Sequence, residues 1–145
     1  MPLRIDPIAE ARRHWTDRWG PEPARPMAAV TSIMRAQQVL MARLNDLLRP
    51  HALTFPRYEA LMLLSFTRTG ALPIGKMGER LQVHRTSMTH MADRLEEAGL
   101  VTRVAREATE RLNAEQFGMG PLSDAERDDV FRLLRPLREA AGDFG

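Results

Sequence analysis

The chain contains no cysteine. Disulfides, zinc fingers, thiol nucleophiles and cysteine-based peroxide sensing are thereby excluded. Lysine is nearly absent, Lys76 standing against 20 arginines. The sequence pI of about 9.9 therefore reflects arginine chemistry more than a strong field, because 21 bases meet 19 acids for a net charge of +2. A surplus that small does not by itself point to nucleic acid. No apolar run of about 18 residues occurs, and the opening Met1-Pro2-Leu3-Arg4-Ile5-Asp6 has no apolar core of signal-peptide length. A cytoplasmic protein with no membrane contact is expected. The four histidines, His14, His51, His84 and His90, are scattered, and His84 and His90 do not share a helix face. No nucleophile triad, phosphate-binding glycine loop or H-E-x-x-H pattern appears, so no catalysis, cofactor or metal is expected. What remains is ordinary globular usage: 145 residues, 43% hydrophobic and 28% charged. That suits one domain with a core, or one protomer of a helical dimer.

Charge is unevenly spread. Residues 68–106 carry seven bases and four acids, whereas residues 107–145 carry five bases and nine acids. A polyanion would therefore meet the middle of the chain. Asp6-Pro7 is an N-cap followed by a first-turn proline, and Ile8, Ala11, Trp15 and Trp19 share one helix face up to Gly20. Pro21, Pro23 and Pro26 read as a stiff linker. From Met27 to Leu48, the residues Val30, Ile33, Met34, Leu40, Met41, Leu44, Leu47 and Leu48 form an apolar stripe of helical period. Arg49-Pro50 stops it. A third helix begins near Leu53-Thr54-Phe55-Pro56 and runs to about Thr67, with Tyr58, Leu61, Met62 and Phe66 on one face. Ala108, Leu112 and Phe117 then read as one face of a short helix ending at Gly118. Ser123-Asp124-Ala125-Glu126 is a capping box. It opens a last helix with Val130, Phe131, Leu134 and Leu137 inward and a kink at Pro136.

The informative stretch is 75–104. Gly75 to Leu81 reads as a short helix, Gln82-Val83-His84 as a turn, and Arg85 to Ala98 as a longer helix closed by Gly99. Leu100-Val101-Thr102-Arg103-Val104 reads as a strand. Helix, three-residue turn, longer helix and strand is the layout of a winged helix-turn-helix. On a helical wheel Met88, Met91, Ala92, Leu95 and Ala98 gather on one side, and Arg85, Thr86, Thr89, His90 and Asp93 on the other. Threonine is a poor filler for a merely solvated helix face. It suits a duplex, because hydroxyls bond phosphates or base edges at short range and arginine pairs with guanine. The plainer explanation is an amphipathic surface helix with a Thr/Ser bias.

The run Gly78-Glu79-Arg80-Leu81-Gln82-Val83-His84-Arg85-Thr86-Ser87-Met88-Thr89-His90-Met91-Ala92-Asp93-Arg94-Leu95-Glu96-Glu97-Ala98-Gly99-Leu100-Val101 resembles the recognition region of MarR-family transcriptional regulators. Leu53-Thr54-Phe55-Pro56-Arg57-Tyr58-Glu59 is similar to the family's entry into its second core helix. The resemblance implies a mainly α fold: a winged helix-turn-helix flanked by N- and C-terminal dimerisation helices. It divides the chain into an extra N-terminal helix and linker (1–26), a dimerisation helix (27–52), a DNA-binding domain (53–104) and closing dimerisation helices (105–145). It also implies a homodimeric regulator, more often a repressor, whose two lobes sit about 34 Å apart on double-stranded DNA with a pseudo-palindromic operator. Carried over by motif, His84, Arg85, Thr86, Ser87, Thr89 and His90 would face the major groove or its phosphates. Lys76 would touch the backbone, and Arg103 is a further candidate DNA contact. Many relatives are released by a small aromatic or anionic effector. Here His14, Trp15, Met34, His51, Tyr58 and Met62 are the candidate lining, although methionines and aromatics at helical spacing are more often core.

One departure stands out. The family has a β-hairpin wing after this strand, but Arg103-Val104 runs straight into Ala105-Arg106-Glu107-Ala108-Thr109, which reads as the late part of the next helix. A return strand and half a helix would need about 20 residues. The expectation is that a mobile wing has dropped out of the given sequence. A helical ligand-binding or protein-interaction module without DNA binding is the alternative reading.

Overall fold

The Asp6 carboxylate accepts the Ile8 N–H at 2.9 Å and opens helix α1 (Pro7–Trp19). The structure is a computed structural model that describes residues 2–65 and 102–144. The short helix, turn, recognition helix and Gly99 cap expected over 75–99 lie outside those residues, as do Leu100 and Val101 of the expected strand. The chain divides into two compact units, 1–43 and 44–145.

In the first unit, α1 ends at Gly20, whose N–H donates to the Thr16 carbonyl at 2.8 Å. Its φ of 90° and ψ of 168° suit glycine alone. Helix α2 (Pro21–Leu48) follows at once, so the expected linker does not exist. Pro21 and Pro23 occupy the first turn, where backbone N–H groups have no intrahelical acceptor, and nothing is lost by lacking one. Pro26 lies inside the helix and forgoes one backbone bond. Along α2 the apolar stripe is exposed at first, through Val30, Ile33 and Met34, and buried only from Leu44 onward.

The second unit starts with the last turn of α2. A 3-10 turn (Arg49–His51) and Ala52, at φ 56°, reverse the chain into α3 (Phe55–Ser65). The Asn45 side-chain oxygen accepts the Phe55 N–H at 2.8 Å and so caps α3 across the turn. Helix α4 is Thr102–Ala114. Thr102, Arg103 and Val104 therefore begin a helix and do not form a strand, and the backbone passes through Val104-Ala105 without a break. Ala105, Ala108 and Leu112 recur at helical spacing and are buried. That face overrides the β-branched bias of Thr102 and Val104. Leu44, Leu47, Leu48, Leu53, Tyr58, Ala108 and Leu112 form the core, with Phe55, Met62, Val104 and Phe117 packed against it.

Phe117 reaches this core from outside α4, contrary to expectation. After Ala114 the chain makes a left-handed turn, with Gln116, Phe117 and Gly118 at φ 52°, 53° and 77°. Arg127 holds it, donating from Nε to the Met119 carbonyl at 3.1 Å and from its guanidinium to Gln116 and Asp124. Helix α5 (Asp124–Ala140) opens on the predicted capping box. Ser123 Oγ accepts the Glu126 N–H at 3.2 Å, and Glu126 accepts the Ser123 N–H at 2.9 Å. Helix α5 runs through Pro136 and buries no residue within this chain. Val130, Phe131, Leu133 and Leu137 are exposed, so its apolar face is not turned inward. No helix of the described residues is long and apolar enough to cross a membrane.

Candidate functional site

Tyr58 and Thr109 meet where α3 packs on α4. Their oxygens lie 2.7 Å apart, and Thr109 donates to the Ala105 carbonyl at 2.8 Å. With the Thr109 proton committed to that carbonyl, the phenol is the donor in the pair. The Thr109 hydroxyl also lies 3.6 Å from the Met62 sulfur. Tyr58 is 5% exposed, so its hydroxyl can be buried only because Thr109 is there. Sequence reading singled out Tyr58 and Met62 but missed Thr109. The signal was available: Thr109 follows Ala105 by one turn and Ala108 by one residue, at the edge of the apolar face of α4.

The other effector candidates are placed differently. His51 closes the 3-10 turn and is half-buried. His14 lies on the surface of α1, with Nε2 at 3.1 Å from a Glu10 oxygen that also binds Arg13 at 2.6 Å. The Arg13 hydrogen bond and charge, with a smaller part from His14, hold the Glu10 carboxyl below its ordinary range. Trp15 packs tilted against Trp19, with ring centroids 4.4 Å apart and planes at 49°, and Met34 is exposed. Glu59, one residue beyond Tyr58, is pushed above its ordinary range by burial. Among the described residues no cluster of His, Asp or Glu could hold a metal ion. Of the expected DNA contacts, Lys76, His84, Arg85, Thr86, Ser87, Thr89 and His90 lie outside the described residues. Arg103 lies in the first turn of α4.

The chain as a whole is similar to known proteins. The MarR family model matches residues 53–111, from the entry of α3 into α4. A crystal structure of a MarR family transcriptional regulator from Streptomyces coelicolor is 46% identical and superposes with a TM-score of 0.79. The match covers 83% of this chain and 98% of that one. The chain belongs to the MarR family. An organic hydroperoxide resistance transcriptional regulator of Bacillus subtilis (strain 168) is 42% identical over 59 residues. That match takes in 41% of this chain and 39% of the regulator, so the likeness spans well under two thirds of that relative's length. In MarR terms, α3 and α4 bracket the helix-turn-helix stretch of the sequence, and the Tyr58–Thr109 pair joins the two brackets.

Proposed function

We propose that this MarR-family chain is a cytoplasmic, homodimeric repressor, without enzyme activity, that binds a pseudo-palindromic operator in double-stranded DNA. The observation that carries the reading is the likeness, at 46% identity over 98% of its chain, to a MarR family transcriptional regulator. His84, Arg85, Thr86, Ser87, Thr89 and His90 form the groove-facing surface, and Lys76 and Arg103 add backbone contacts. The dimer has support in α5, whose exposed Phe131, Leu133 and Leu137 are an unusual amount of apolar surface for a solvated helix. Release follows when a small aromatic or anionic effector favours a lobe spacing that does not fit two successive major grooves. Its contacts are drawn from His14, Trp15, Met34, His51, Tyr58 and Met62. The Bacillus relative is named for organic hydroperoxide resistance. A thiol trigger of that response lies outside the chemistry of a sequence with no cysteine.

A helical ligand-binding module without DNA binding is the second reading. It is favoured by Thr102–Val104 being helical where a strand leading into a wing was expected. A gel shift on DNA upstream of the protein's own gene separates the two. Specific binding that weakens steeply with salt supports the regulator, and no binding at low salt supports the module. Arg85→Ala or Thr89→Ala should abolish specific binding while leaving the dimer intact. Unchanged operator affinity in both variants would contradict the assigned face.

A further inference from the structure

Helix α3 is held by two directional bonds about one turn apart. At its start the Asn45 side-chain oxygen accepts the Phe55 N–H at 2.8 Å, which ties α3 to the last turn of α2. One turn on, the Tyr58 hydroxyl donates to Thr109 at 2.7 Å, which ties α3 to α4. Both members of that pair are themselves held. The Tyr58 ring faces that of Phe55, 6.2 Å away with planes at 23°. The Thr109 oxygen is fixed because its proton goes to the Ala105 carbonyl at 2.8 Å. The rest of this core is different in kind. Met62, Val104, Ala108 and Leu112 pack there, and apolar burial has no preferred direction. An alanine-bearing face and a pliable methionine would let α3 slide or roll on α4. The hydroxyl pair opposes that motion, since a phenol that moved off Thr109 would be buried without a partner.

Resting on the repressor reading above, we infer that Thr109 is a positioning residue for operator recognition. Its hydroxyl fixes the roll of α3 on α4 and, through it, the spacing of the two DNA-binding lobes. On that reading α3 leads into the groove-facing stretch of the sequence, and α4 leads away from it toward the dimer arm. A roll of α3 on α4 is carried to the far end of each lobe, where two successive major grooves must be met together. Thr109 acts through Tyr58 and not by contact with DNA.

The test compares two operators: the stretch bound upstream of the protein's own gene, and the same stretch with one base pair inserted at its centre. The insertion moves one half-site by about 3.4 Å and turns it by about 35°. The full chain is titrated with each in a gel shift, at one salt concentration and without effector, and the ratio of the two affinities is read. An unfolded fraction cancels in that ratio, because both titrations use one preparation. Wild type should prefer the natural operator by about tenfold or more, and Thr109→Val should narrow that preference to about threefold. Tyr58→Phe removes the same bond without leaving a buried orphan and should narrow it likewise. Thr109→Ser keeps the hydroxyl and should keep the wild-type preference. The role of Thr109 is overturned by a wild type that binds both operators equally. It is overturned as well by a preference that survives in Thr109→Val or in Tyr58→Phe, or by one that Thr109→Ser loses as fully as Thr109→Val. Absence of specific binding by wild type to either operator overturns the repressor reading itself, and the role of Thr109 with it.

Discussion

Helices α4 and α5 carry the same kind of pattern and meet opposite ends. Both place apolar residues every three or four positions against a strongly charged opposite face. In α4 that stripe, Ala105, Ala108 and Leu112, disappears into the core of its own unit. In α5, Val130, Phe131, Leu133 and Leu137 stay at the surface, although the helix is longer and opens on a capping box. Amphipathic spacing thus states that a face wants cover. It does not state whether the cover comes from the same chain. The distinction lies in side-chain size. The α4 stripe is mostly alanine, which lets neighbouring helices of the same unit come close. The α5 stripe is bulky, and none of its residues is buried among the described residues.

The contrast can be broken experimentally. The largest effect is expected from Leu134→Asp, which puts a charge among the apolar residues of α5. If a second copy covers that face, the dimer should dissociate on size exclusion by a hundredfold or more, about 3 kcal/mol, with little change in the folding of either chain. A variant that elutes as before would show that α5 is covered by nothing in solution. Leu112→Ala should do the reverse. It opens a cavity at a fully buried site and should lower unfolding stability by about 3 kcal/mol in denaturant, while the protein that remains folded associates as before. Next in size is Thr109→Val. The Tyr58 hydroxyl would be left buried with no partner, at a cost of about 2 kcal/mol. Tyr58→Phe, which removes that hydroxyl, should cost less. Equal losses in the two variants would mean that the hydroxyl pair contributes nothing of its own.

Smallest is Ser123→Ala in the α5 capping box, expected to cost about 1 kcal/mol in thermal or chemical unfolding. A pH titration sharpens it. The Ser123 backbone N–H, and then its side chain, hold the Glu126 carboxyl below its ordinary range. The stability this gives is therefore present above the carboxyl's unfolded pKa and is lost as pH falls through its lower folded value. In Ser123→Ala that acid-side loss should shrink, because only the backbone bond survives.

Capping signals were the most legible part of the sequence. Asp6-Pro7, Gly20 and Ser123-x-x-Glu126 each act within four residues, so no tertiary information is needed to read them. The prolines at 21, 23 and 26 misled because their cost depends on position. In a first turn, proline loses nothing, and Gly20 alone separates α1 from α2 where a linker was expected. Thr102-Arg103-Val104 misled for the opposite reason, since a local β-branched bias gave way to packing of the residues after it. The Tyr58–Thr109 pair and the Asn45 cap on Phe55 join residues 51 and 10 positions apart. Partners at such separations cannot be matched by spacing alone. The winged layout and its MarR likeness were legible from motif. Lys76 through His90 were assigned by the same route.

The left-handed corner after α4 has a consequence for how the carboxyl-terminal arm can vary. Gln116 and Phe117 each hold a backbone shape that costs roughly 1 kcal/mol in any residue but glycine. Arg127 clasps the same corner through the Gln116 side chain. Replacing Gln116 by glycine relaxes the backbone and unfastens the clasp together, so two opposing adjustments ride on one codon.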